Sequence, residues 1–176
     1  DYPFNVFKDV FDIYFSYCDL EMELIKKKFK KECIKIDYFR FDNKPIDKVL
    51  SQNDLIKEFN LDPNKKIIYW MPTHIINPNE EDENLKNWMY KLNFLNSHYN
   101  VILRPHPKTL TINKKILKEL LKLNYVIDQN FDQKIGQKIK YADLILADYG
   151  AILFDTIYLK KKMIFLNLRE NQKVEK

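Results

Sequence analysis

From residue 67 onward, short runs of apolar, β-branched and aromatic residues recur: Ile67-Ile-Tyr-Trp-Met71, Val101-Ile-Leu103, Tyr125-Val-Ile127, Leu144-Ile-Leu146 and Met163-Ile-Phe-Leu166. They are apolar at consecutive positions instead of every second one. A strand of that kind has no wet face and requires cover on both sides of its sheet. Between the runs the period changes to that of a helix. Leu85, Trp88, Met89, Leu92 and Leu95 share one face, and Ile112, Ile116, Leu117, Leu120 and Leu121 share another. Strands alternating with helices in this way predict an α/β fold, a doubly wound, Rossmann-like parallel sheet of five strands over residues 46–176.

Residues 12–38 carry a smaller unit of the same kind. Ile13-Tyr-Phe-Ser-Tyr17 reads as a strand, Asp19 as the cap of a helix bearing Leu20, Leu24, Ile25 and Phe29, and Cys33-Ile-Lys-Ile-Asp37 as the next strand. Phe41-Asp-Asn-Lys-Pro45 then interrupts the pattern. Residues 1–45 are therefore expected to be the end of a preceding α/β domain plus a linker. The first residue is Asp1, so the N-terminus of the complete protein is expected upstream.

Composition narrows the function classes. With 45% hydrophobic and 14% aromatic residues the chain can bury a core, which argues against disorder. No stretch approaches the roughly 18 apolar residues that a spanning helix requires. Cys18 and Cys33 lack a histidine-rich surround, so no metal site is expected; both read as small buried apolar groups in a reducing, cytoplasmic setting. The net charge of +5 is modest. Lys26, Lys27, Lys28, Lys30 and Lys31 form either a solvated helix face or a patch for peripheral contact with an anionic membrane. Without an RNA-binding aromatic motif or zinc-finger spacing, no nucleic-acid partner is expected.

Ligands of an open parallel sheet sit beyond the carboxyl ends of its strands. Three segments there are unusually polar and should line one crevice: Met71-Pro-Thr-His74, Arg104-Pro-His-Pro-Lys108 and Asp148-Tyr-Gly-Ala151. His106 stands between two prolines that restrict the backbone on either side, and it suits an acid, a base or a hydrogen-bond donor to a diphosphate. Arg104 offers a permanently charged fork for phosphate oxygens. Gly150, one of only two glycines, either simply turns the chain or opens a helix start whose amides, with those of Ala151 and Ile152, seat a phosphate. At the first strand end, His74 and the Thr73 hydroxyl are alternative ligand contacts. His98 reads as surface, and Asp155 as a helix residue engaged in capping or a salt link. No nucleophile elbow, Walker loop or dinucleotide glycine fingerprint is present.

In this order, Ile68-Tyr-Trp-Met-Pro-Thr73, Arg104-Pro-His-Pro107 and Ala142-Asp-Leu-Ile-Leu-Ala-Asp-Tyr-Gly-Ala-Ile-Leu-Phe-Asp155, followed by Leu159 and Ile164-Phe165, the chain resembles the C-terminal half of the CDP-glycerol glycerophosphotransferase, or teichoic-acid polymerase-like, family. The resemblance covers about residues 52–168 and implies the C-terminal domain of a GT-B fold, with residues 12–42 the remnant of the domain before it. It implies an enzyme that moves an alcohol phosphate from a CDP-linked donor to a polymer or lipid-linked hydroxyl, releasing CMP, without a cofactor. Carried over by position, His106 is the catalytic histidine. Arg104, Thr73, Asp148, Tyr149, Gly150 and Ala151 are the donor phosphate- and nucleotide-binding residues.

The chain departs from the family pattern in two places. Gly150 and Ala151 stand where members usually have two serines, leaving backbone amides to serve. The His-Gly motif of the preceding domain, expected to supply the deprotonating base, has no counterpart in residues 1–176. The fragment alone is expected to be inactive. A GT-B glycosyltransferase using a nucleotide sugar and a non-catalytic nucleotide-binding domain of polysaccharide assembly are the alternative readings.

Overall fold

The computed structural model describes residues 10–37, 51–74, 84–112, 114–131 and 135–166, and the chain divides into two units, Asp1–Ile46 and Asp47–Lys176. The expected break at Phe41–Pro45 lies outside the described residues.

In the first unit, β1 (Ile13–Ser16) and β2 (Glu32–Lys35) pair in parallel and flank α1 (Asp19–Phe29), a single βαβ turn. The cap of α1 is Cys18, in extended conformation and without a side-chain bond, so Asp19 is the first helical residue and not the expected cap. There, with Glu21, it places negative charge where the helix amides point outward. Glu21 also accepts from the Ser16 hydroxyl at 2.9 Å, tying the first turn to the strand. Ile25 and Cys33 are buried and Tyr14 stacks on Phe29 at 5.5 Å, whereas Leu20 and Leu24 of the predicted apolar face are exposed. Two strands are too narrow to cover that whole face. Cys18, expected to be buried, is exposed because it lies in the turn ahead of the helix.

The second unit begins with α2 (Gln52–Phe59), capped by Ser51 and Asp54 bonding reciprocally to each other's amides. Then come β3 (Ile67–Met71), α3 (Asn84–Lys91), α4 (Leu95–His98), β4 (Asn100–Leu103), α5 (Pro107–Ile112), α6 (Lys114–Lys122), β5 (Val126–Ile127), α7 (Ile135–Ile139), β6 (Leu144–Ala147), α8 (Ile152–Tyr158) and β7 (Met163–Phe165). The spatial order is β5-β4-β3-β6-β7, every pair parallel. The chain winds outward from β3 in one direction, returns to the other side of β3 and winds outward again. This is a doubly wound sheet whose switch point lies beside β3.

Alternate residues of each central strand enter different cores. Ile68, Trp70, Val101, Leu103 and Leu146 meet Leu85 and Met89 of α3 and Ile116 and Leu120 of α6. Tyr69, Met71, Ile102, Ile145 and Ala147 meet Leu55 of α2 and Ile139 of α7. Cover on both faces is the reason β3, β4 and β6 are apolar throughout. The first helical period is split in the structure, into α3 and α4. Leu121, assigned to the inner face, is 56% exposed, one position beyond the buried stripe of Ile116 and Leu120. Ile164 and Phe165 of β7 are also exposed, since an edge strand has a neighbour on one side only. Among the described residues no helix is long and apolar enough to cross a membrane.

Candidate functional site

Because β3 lies between β4 and β6, its exit loop is the natural bridge between theirs, and two contacts make the bridge. The Thr73 amide donates to Asp148 Oδ1 at 2.7 Å, and the Tyr149 amide donates to the same oxygen at 2.8 Å. On the other side the rings of His74 and His106 are in contact, 5.0 Å between centres and tilted by 45°. The three polar segments picked out in the sequence therefore form one continuous rim at the carboxyl edge of the sheet, across its switch point.

His106 owes its orientation to a helix start. It immediately precedes α5, with Pro107 in the first helical position, where a missing N–H costs nothing. Its carbonyl accepts from the Thr109 amide at 2.9 Å and its Nδ1 accepts from the Lys108 amide at 3.2 Å, so the imidazole occupies the place of a capping side chain. An Nδ1 that accepts leaves the proton of the neutral ring on Nε2, which is then a donor. Burial lowers the pKa of His106 below the ordinary histidine value, and the neighbouring His74 and Lys108 lower it further.

Arg104 is engaged within the protein through one nitrogen of its guanidinium. Nη1 donates to Asp128 Oδ2 at 2.6 Å and to the Asn130 carbonyl at 2.8 Å, and the guanidinium lies over the Phe131 ring, 5.1 Å from its centre. Only 12% of the side chain is exposed, so one arm of the fork expected to meet phosphate is held within the protein. Asp128, fully buried, also accepts from the Tyr69 hydroxyl and, at 3.0 Å, from the buried Lys138 ammonium, which donates in turn to Glu58 at 2.8 Å. Burial opposes ionisation of Asp128. The bonds from Tyr69, Arg104 and Lys138, with the Arg104 charge, outweigh it and hold the carboxyl below its ordinary pKa.

The sequence carries no local signal for the roles of Asp128, Lys138 and Tyr69 in this network. Asp128 directly follows the apolar run ending at Ile127, a position that marks a strand end, but no local pattern connects it to Arg104 or Lys138.

Gly150 has φ +109°, a conformation that side-chain-bearing residues rarely adopt, and a Cβ there would meet nothing within 4 Å. Its backbone, not crowding, calls for glycine. Gly150 and Ala151 are exposed, Ala151 occupies the cap of α8 without a side-chain bond, and the Leu153 amide returns to the Gly150 carbonyl at 3.2 Å. Tyr149 stands edge-on to Phe165 at 5.3 Å. Asp155 is buried inside α8, 1% exposed. His98 is exposed just before β4, at the opposite edge of the sheet from the rim. Among the described residues no group of three or more His, Cys, Asp and Glu is placed to hold a metal ion.

A doubly wound parallel sheet with polar loops gathered over its switch point belongs to the class of α/β domains that take ligands in that crevice. Residues 24–169 match the family model described as CDP-Glycerol:Poly(glycerophosphate) glycerophosphotransferase, and the chain belongs to that family. No curated protein sequence matches it.

Among solved structures it is similar to the wall teichoic acid polymerase TagF, at 22% identity and a TM-score of 0.56, over 92% of this chain and 40% of that one. A histidine-to-alanine variant of TagF matches at 20% identity and a TM-score of 0.58, over 97% of this chain and 43% of that one. A histidine-to-asparagine variant soaked with CDPG matches at 22% identity and a TM-score of 0.55, over 92% and 39%. The fold is thus the GT-B-like α/β fold of TagF, and the chain spans about 40% of the length of the structures it matches.

Proposed function

We propose that this chain carries the donor site of a transferase that moves a glycerol-phosphate-like group from a CDP-linked donor to a hydroxyl of a polymer or lipid-linked acceptor, releasing CMP. The acceptor oxygen forms a bond to the phosphorus of the alcohol phosphate as the bond to the CMP oxygen breaks. The acceptor proton leaves to a base. Charge in such a transfer spreads over phosphate oxygens, so the protein contributes mainly by positioning donors around them.

The observation that carries the reading is the continuous rim formed by Thr73, His74, His106 and Asp148 at the switch point of a sheet whose sequence belongs to this family. His106 presents Nε2–H to the diphosphate and steadies the departing CMP. Asp148 shapes the turn by holding the Thr73 and Tyr149 amides. The exposed turn at Gly150 and Ala151 lets phosphate approach the backbone, and Tyr149 borders it. Arg104, with Nη1 held by Asp128, steadies the segment that presents His106 and adds positive charge beneath the diphosphate.

The test is product formation by the full-length protein supplied with CDP-glycerol and a glycerol-phosphate-primed acceptor. CMP should appear in step with acceptor extension, and His106→Ala should reduce turnover by roughly a hundredfold or more, as loss of a positioned donor does. Release of a nucleoside diphosphate from a nucleotide sugar, or unchanged turnover in His106→Ala, would overturn the assignment.

A further inference from the structure

The contact between His74 and His106 brings together two rings from different loops, 32 positions apart in the chain. Both are half-buried. Nδ1 of His106 is committed to the Lys108 amide. Protonating that nitrogen would remove the acceptor and leave the second amide of α5 without its cap, so a proton arriving with an anion is disfavoured there. Among the described residues no hydrogen bond ties the His74 ring in this way, and it lies against the ring that donates. Among the described residues of the rim the charged groups are Lys108 on α5, Arg104 at the end of β4 with Nη1 bound to Asp128, and Asp148 beyond β6 with Oδ1 held by two amides. The rim carboxylate Asp148 is thus already satisfied in part, and Lys108 places a positive charge beside His106.

We propose that His74 is a second diphosphate-binding residue: His106 donates as a neutral ring through Nε2–H, and His74 takes up the proton that accompanies the bound anion and contacts it as an imidazolium. This rests on the donor-site reading above and deepens it, since it divides hydrogen bonding and charge between two histidines instead of assigning both to His106. An imidazolium in contact with phosphate forms a charge-assisted hydrogen bond, stronger than its neutral counterpart. Donor affinity should therefore increase as pH falls through the histidine range.

The experiment is calorimetric titration of the full-length protein with CDP and, separately, with inorganic diphosphate, at about pH 6 and about pH 8, on either side of the ordinary histidine pKa. His74→Phe keeps a flat ring against His106 and removes both nitrogens; His74→Gln replaces it if the phenylalanine variant does not fold. Wild type should bind both ligands with proton uptake. The variant should lose roughly tenfold in affinity near pH 6 and little near pH 8, the scale of one hydrogen bond to a charged group.

Each outcome reads differently. A variant that binds both ligands with wild-type affinity and wild-type proton uptake overturns the role of His74 and leaves the donor site standing. Binding of inorganic diphosphate but not CDP, dependent on His74, supports the imidazole pair and removes the CDP reading. If wild type binds neither ligand, both fall.

Discussion

At the scale of single residues, His106 has two duties that substitution can separate. Its ring caps α5, and on the proposed donor-site reading its Nε2–H meets the diphosphate. His106→Asn keeps a short polar side chain able to cap and removes the imidazole, whereas His106→Ala removes both. Chemical unfolding should find the asparagine variant close to wild type and the alanine variant about 1 kcal/mol less stable, the usual worth of a cap. Turnover should be lost in both. Gly150 offers a complementary case. A methyl group there meets no neighbour within 4 Å, so the cost of Gly150→Ala comes only from holding an alanine at φ +109°. We expect a loss of about 1–3 kcal/mol in stability, together with weaker CDP binding if the turn relaxes toward negative φ. A variant as stable as wild type would show that the turn can reorganise freely.

At the scale of elements, a buried ion network joins five of them. Asp128 at the end of β5 receives Tyr69 from β3, Arg104 from the end of β4 and Lys138 from α7, and Lys138 reaches Glu58 on α2. Neutralising Asp128 leaves two cations in a poorly solvated place with less compensation. Asp128→Asn should cost about 3–5 kcal/mol in denaturant unfolding.

The pH dependence has a definite sign. The folded pKa of Asp128 is depressed, so its contribution is complete above the unfolded carboxylate value, near pH 4, and disappears as pH falls through the lower folded value. The stability gap between wild type and Asp128→Asn should accordingly narrow on acidification below about pH 4. A constant gap down to the acid transition would mean that Asp128 is not the titrating group. Since Arg104 lies two residues before His106, the same variant should also weaken CDP binding, and Asp128→Glu should restore part of it.

At the scale of the whole molecule, ligand protection is the relevant measurement. The rim spans residues 72–74, 104–108 and 148–152, which are distant in sequence and adjacent at one edge of the sheet. CDP should slow amide hydrogen exchange in these three segments and leave α1 unchanged. At a hundredfold excess over Kd it should stabilise the folded protein by about 2.7 kcal/mol. Protection confined to one segment would contradict a shared crevice.

Local sequence alone determined the five strands, their parallel pairing and the three polar loops. Consecutive apolar residues state how a strand must be covered, and winding rules place all strand ends on one side. Periodicity overreached where burial depends on neighbours, as at Leu20, Leu24 and Leu121, because a helical period marks a face without saying how wide its cover is. Only the tertiary structure decided which groups meet. It brought His74 onto His106 and turned Nη1 of Arg104 to Asp128. Those contacts join residues 32 and 24 positions apart. They are set by strand order and side-chain packing, which no short stretch of sequence encodes.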